Sequence, residues 1–196
     1  MDFVCNDPKA LVRAANVRAT IDAFKLVPLM ATRIIKKHDL NLVDLRPDSF
    51  VLVQQWLNAL KEIQKEVGPD KLRAVGRAIV ENAEFPPHFV DAETMLMASD
   101  EIFKMNHRGD VGKYVVVRLP DNRIRVRCET PYPRMFEWGV IEGMTKNSKY
   151  KHPGTFDVEY EAGPKTGPLT CTLYVTRVDA VAAKAKPENV PRPRSQ

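Results

Sequence analysis

The segment from Thr130 to Lys146, which reads TPYPRMFEWGVIEGMTK, constrains the fold more than any other stretch of this chain. Its spacing predicts a short amphipathic helix near 133–147, and that helix carries two glycines. A glycine inside a helix costs about 1 kcal/mol relative to alanine. Gly139 and Gly143 stand four residues apart, hence on one face, where the missing side chains let another backbone approach closely. A packing requirement, not helix propensity, accounts for the pair.

On both sides of this helix the hydrophobic period is two. Tyr114 to Leu119 reads as a strand, Pro120-Asp121-Asn122 as a turn, and Arg123 to Glu129 as a second strand with Ile124, Val126 and Cys128 inward. A second hairpin spans Thr155 to Arg177, with Phe156, Val158 and Tyr160 inward on one arm, Leu169, Cys171, Leu173 and Val175 on the other, and a turn at 163–168. Upstream the period is 3.6. Helices are expected near 8–25 and 28–38, separated by Pro28. Another should follow Pro47-Asp48-Ser49 and run through Phe50, Val53, Trp56, Leu57, Leu60 and Ile63 to a stop at Gly68. Two more are expected from Pro69-Asp70 and from Asp91 to Asn106, the latter burying Met95, Leu96, Ser99, Ile102 and Phe103. The expected fold is α+β, a single domain over 1–177 with a helical part (8–107) and a β-rich part (113–177). A Pro-, Lys- and Arg-rich tail over 178–196 has too little apolar content to pack by itself.

The chain has 196 residues, 44% hydrophobic and 28% charged, enough to bury a core without staples. No apolar run reaches the roughly 18 residues of a membrane span. The first residues, Met1 to Asp7, show no basic start followed by an apolar core. Cys5, Cys128 and Cys171 are odd in number and far apart, which favours buried thiols in a reducing, cytoplasmic setting over disulfides or a metal site. A net charge of +5 suits an acidic partner, but neither an RNA-binding aromatic motif nor zinc-finger spacing accompanies it, so nucleic acid is not expected.

Helices followed by strand–strand–helix–strand–strand resemble the superfamily shared by haem-nitric-oxide/oxygen-binding (H-NOX) domains, four-vinyl-reductase-like domains and TRAPP vesicle-tethering subunits. The residues Phe136 to Gly143, with Lys146, look like the H-NOX crossing helix, aromatic-x-x-Gly-x-Ile-Glu-Gly; the resemblance covers about 85–177, including Tyr132-Pro133 and the loop Met105 to Gly109. It implies a sensory or ligand-binding module. It also implies a haem-ligating histidine on the helix before the first hairpin and a Tyr-x-Ser-x-Arg grip on the haem propionates. This sequence carries neither: the turn in question holds Ala98 and Ser99, and the strand reads Arg127-Cys128-Glu129-Thr130-Pro131. No haem or other cofactor, and no metal, is therefore expected.

No P-loop, GxSxG or GxGxxG occurs, and no acid, base and nucleophile come together, so the chain is not expected to be an enzyme. The expectation is a non-catalytic module binding an apolar small molecule, a signalling partner, or both. Candidate ligand contacts are Met95, Ser99, Phe103, Met105, His107, Val126 and Cys128, between the 91–106 helix and the hairpins. His107 could also be a displaced haem ligand, which defines a non-standard haem or tetrapyrrole sensor as an alternative; the plainer reading is a histidine bonding the last carbonyls of a helix. Arg123, Arg125 and Arg127 alternate outward and could meet an acidic partner, or could guard an edge hairpin. An adaptor working by homo- or hetero-oligomerisation is the other alternative, and a homodimer suits both readings.

Overall fold

A computed structural model describes residues 3–24, 28–41, 46, 48–82, 88–147, 154–161 and 170–178. The expected turn at 163–168, His152 and the 179–196 part of the tail lie outside them. The chain order is β1 (Leu11–Arg13), α1 (Ala14–Asp22), α2 (Pro28–Lys37), β2 (Phe50–Leu52), α3 (Val53–Val67), α4 (Pro69–Asn82), α5 (Ala92–Met97), α6 (Ser99–Met105), β3 (His107–Arg108), β4 (Lys113–Arg118), β5 (Ile124–Glu129), α7 (Arg134–Thr145), β6 (Phe156–Glu161) and β7 (Thr170–Arg177). This is the expected α+β arrangement, with both hairpins in one antiparallel sheet ordered β4-β5-β7-β6.

A second, three-stranded sheet, β2-β1-β3, corrects the sequence reading at two helix starts. The helix expected from residue 8 begins at Ala14, and the one expected from Phe50 begins at Val53, because the residues before each pair as strands: Val12 stands opposite Val51 on one side and His107 on the other. The Ser49 side chain does not cap α3; its hydroxyl donates to the Arg46 carbonyl. The small sheet does the capping instead. Ala14 N–H donates to the Ser49 carbonyl and Val53 N–H to the Ala10 carbonyl, both at 2.9 Å.

The 91–106 helix is two helices, broken at Ala98. The first is capped by Asp91, whose carboxylate accepts from Thr94 N–H at 2.8 Å. Asp91→Ala is expected to lower stability by about 1 kcal/mol in urea unfolding.

The twin glycines turn to a helix, not to the sheet. A Cβ on Gly139 would collide with the Arg73 carbonyl of α4, one on Gly143 would meet the Val80 side chain, and one on Gly76 of α4 would collide with the Phe136 carbonyl of α7. Here α4 and α7 pack backbone against backbone. Glu142 fastens the same contact, accepting from Arg73 at 2.5 and 2.7 Å, with Arg77 at 3.4 Å. Burial pushes the Glu142 carboxyl up, but Arg73, with Lys146 and Arg77, outweighs it and holds the group below its ordinary range. Trp138 covers the helix–sheet join, stacked on Tyr160 of β6 at 6.1 Å with the Arg73 guanidinium 3.8 Å above its ring.

Candidate functional site

A cavity of about 60 Å³ lies where the helical part meets the sheet. Its walls come from α1 (Asn16), α3 (Trp56), α4 (Ile79, Val80), α6 and its end (Ile102, Phe103, Asn106), β3 (His107), β4 (Tyr114) and α7 with its approach (Tyr132, Phe136, Val140, Met144). Aromatic rings make most of one side. Tyr132 sits 5.2 Å from Trp56 and 5.1 Å from Phe136, while Phe103 stacks on His107 at 4.1 Å. Trp56 is fully buried, and its indole N–H donates to the Thr20 hydroxyl at 3.2 Å.

Two polar groups adjoin this cavity, His107 half-buried and Glu137 buried. His107 has both ring nitrogens engaged: Nδ1 is 2.8 Å from the Phe103 carbonyl and Nε2 is 2.7 Å from the Tyr132 hydroxyl. The carbonyl can only accept, so Nδ1 carries the proton and Nε2 accepts from Tyr132. Burial drives the pKa of His107 down to about 4, against a smaller upward effect of the Phe103 carbonyl, so the ring is neutral near pH 7. The second group is Glu137, fully enclosed, which accepts from the hydroxyls of Tyr114 and Thr130. Burial raises its pKa to about 7; those two hydrogen bonds resist without overcoming it.

Of the residues expected from sequence to contact a ligand, Phe103 and His107 line the cavity. Ser99 and Met95 are buried behind it, the Ser99 hydroxyl donating to the Leu96 carbonyl at 2.5 Å and touching the sulfur of Met144 at 3.5 Å. Val126 and Cys128 are buried on the inner face of β5 but do not reach the cavity. Met105 is 51% exposed, because two residues beyond Phe103 is the opposite side of α6. Cys128 faces Cys171 across β5 and β7, and Cys5, Cys128 and Cys171 are all free and buried. Burial, first of all, raises the Cys128 thiol well above its ordinary pKa, the opposite of nucleophile activation. Among the described residues no three metal-ligating side chains cluster.

Sequence reasoning passed over Glu137, Tyr114, Thr130 and Tyr132 as site residues. A signal existed for Glu137: it precedes Val140 and Ile141 by three and four residues, on the apolar face of α7. The pairing of Tyr132 with His107, 25 residues apart, has no local sequence signature.

The arginines lie on the outer face of the large sheet. The β4–β5 hairpin does lie at an edge of the sheet, but β4 is the edge strand and the arginine-bearing β5 is interior, with β6 at the other edge. Arg123 pairs with Asp121 at 2.8 Å, and Arg127 pairs with Glu129.

This architecture is the H-NOX fold. An H-NOX protein from S. oneidensis in its Fe(II)NO state is similar over 84% of this chain and 98% of its own, with a TM-score of 0.61 and 14% identity. A mutant H-NOX from T. tengcongensis is similar over 83% and 94%, with a TM-score of 0.58 and 19% identity. The IWP-051-bound H-NOX from Shewanella woodyi, in its Fe(II)CO state, is similar over 93% and 99%, with a TM-score of 0.58 and 14% identity. No family model matches the sequence, and no curated protein matches it.

Proposed function

We propose that this chain is a non-catalytic, haem-free sensory module that admits a small apolar molecule, of a few heavy atoms, into the cavity between α6, α7 and the helical part. The cavity carries this reading: about 60 Å³, mostly apolar, walled by both parts of the fold. Haem does not fit the residues present. Pockets for drug-sized ligands run to roughly 300–1,000 Å³, several times this volume. The histidine at the cavity offers no free nitrogen to iron, since Tyr132 holds Nε2 and Nδ1 is protonated toward Phe103. At the positions of the propionate grip, Arg127 is exposed and paired with Glu129, and Thr130 is spent on Glu137. None of the residues lining the cavity is a lysine or arginine.

Occupancy becomes a signal when the ligand favours one packing of the helical part on the sheet over another. Walls drawn from α4, α6, α7 and β4 give a bound molecule contacts on both parts. A cytoplasmic setting accords with three free thiols, and among the described residues no helix is long and apolar enough to cross a membrane.

The test is nuclear magnetic resonance under xenon, a probe that enters small apolar cavities. Shifts are expected at Phe103, Tyr132, Val140 and Met144, and Val140→Phe, which fills the space, should abolish them. Shifts elsewhere, or none, would refute the ligand reading. A Soret band and stoichiometric retention of haem after titration would refute the haem-free reading separately.

A further inference from the structure

We infer that the outer face of the large sheet is a self-complementary docking surface for a second copy of this chain. The observation is a pair of oppositely charged rows in register. On β5 the outward side chains are Arg125, Arg127 and, at the end of the strand, Glu129, which pairs with Arg127; Arg123 stands one step before the strand, and on β6 the outward side chains are Asp157, Glu159 and Glu161. Strand β7 lies between. Tyr174 stands opposite Arg125 on one side and Glu159 on the other, and Thr172 stands likewise between Arg127 and Glu161. Arg123, just before the strand, lays its guanidinium 5.0 Å from the Tyr174 ring, and Asp157 stands opposite Thr176.

Within one chain these rows are two strand spacings apart, about 9–10 Å, with their side chains pointing the same way off the sheet, and among the described residues no ion pair joins them. Among the described residues Arg125, Asp157, Glu159 and Glu161 have no ion-pair partner, and all four are exposed. A half-turn about an axis along β7 relates the rows differently. It lays β5 of one copy over β6 of the other, and β6 over β5, with β7 on β7. Arg125 then faces Glu159 of the second copy and Arg127 faces Glu161, and each pair occurs twice, as an isologous interface requires. Tyr174 meets its own counterpart at the centre. Stacked sheets lie about 10 Å apart, a gap that arginine and glutamate side chains reaching from both sides can close.

The overlap is three strands wide and six residues long, about 14 by 20 Å. That is below the area of a standard interface, so the dimer is weak and salt-sensitive. The whole-chain charge of +5 opposes self-association, so attraction at low salt needs a local pattern of complementary charge such as this one.

Sedimentation equilibrium on the full chain tests it. Dimer is expected at about 0.01 M salt, where the Debye length is ~30 Å, and monomer at about 1 M, where it is ~3 Å. Arg125→Glu and Glu159→Arg each put like charges opposite one another twice, and each should weaken the dimer about tenfold or more. Arg125→Glu also lowers the net charge, which in a non-specific picture would promote association; loss of the dimer separates the two accounts. The double variant carrying both changes should regain it, and an equimolar mixture of the two single variants should form a heterodimer. Unchanged circular dichroism shows that the variants fold. A monomer at every concentration, a dimer indifferent to both single reversals, or a double variant that stays monomeric would each overturn the inference, the last two pointing to another face. None of these outcomes bears on xenon binding in the cavity.

Discussion

Gly139→Ala should destabilise the protein by about 3 kcal/mol, the upper part of the usual cost of overpacking. Helix propensity alone predicts the opposite sign, since alanine is favoured over glycine by about 1 kcal/mol. The reason is what a methyl group would meet. At Gly139 the nearest atoms are the carbonyl oxygen, carbonyl carbon and Cα of Arg73, all backbone, so relief requires α4 and α7 to separate. At Gly143 the nearest atoms are Cβ and Cγ2 of Val80, at 2.8 and 3.0 Å, and the Arg77 carbonyl oxygen at 3.2 Å, a milder overlap than the one with the Arg73 backbone. Gly143→Ala should therefore cost clearly less than Gly139→Ala, and Gly76→Ala, facing the backbone of α7, should resemble Gly139→Ala. Urea midpoints of the three variants give the ranking. Equal stability of Gly139→Ala and the parent would show that the helices are not in backbone contact. The cavity takes Ile79 and Val80 from α4 and Phe136, Val140 and Met144 from α7, so forcing this pair apart also opens the proposed binding space. A loss of the xenon response in Gly139→Ala at temperatures where it remains folded is the functional counterpart.

The twin glycines announced a close helix contact in the sequence, but not its partner. Spacing says which face of α7 is bare; it does not say that Gly76, 63 positions earlier by residue number, supplies the matching gap. The large sheet was legible because its strands are six to eight residues long and alternate cleanly, as Ile124, Val126 and Cys128 do. The small sheet was not. Leu11–Arg13 and Phe50–Leu52 are three residues each, run straight into helices, and continue the helical spacing of apolar residues, so no change of period marks them. Their stability comes from pairing across the chain, which local pattern cannot report. The same limit applies to the candidate site. His107 could be read as bonding a helix-terminal carbonyl, and it does so, but the second bond to Tyr132 depends on where α7 begins in space. Glu137 was hidden by its residue type: a carboxylate is usually solvated, and its burial follows from the tyrosine and threonine hydroxyls that two other segments bring to it. For the arginine row, alternation gave the outward direction, whereas its interior position and the acidic row across β7 follow from strand order.

Glu137 and His107 should give the protein two opposed pH dependences that nearly cancel in the parent and appear when either is removed. Glu137 is displaced upward, from 4.5 to about 7. Its contribution is fully present below pH 4.5 and is lost as pH rises toward 7, because the unfolded chain ionises first. His107 is displaced downward, from 6.5 to about 4. Its contribution is fully present above pH 6.5 and is lost as pH falls toward 4, because the unfolded chain takes up the proton first. Each displacement is worth about 3 kcal/mol at its limit. The charged state of Glu137 finds no cation nearby: its neighbours are the Tyr114 and Thr130 hydroxyls, with Tyr132 and Cys128 close enough for its charge to raise them further. Between pH 4.5 and 6.5 the two slopes have opposite signs and similar size, so unfolding free energy in the parent should be nearly flat. Glu137→Gln keeps a group that two hydroxyls can bond and removes the alkaline loss; stability should then fall by about 3 kcal/mol from pH 7 to pH 4.5, and the variant should exceed the parent near pH 8. His107→Gln should do the reverse, losing stability as pH rises from 4.5 to 7. The paired carboxylates Glu62, Asp100 and Glu142 are held below their ordinary values and titrate under this window, so they leave the comparison clean. Urea unfolding of the parent and both variants across pH 4.5–8 decides it. Parallel curves for all three proteins would mean that neither group keeps its neutral form in the folded chain, and the polar pair beside the cavity would have to be redrawn.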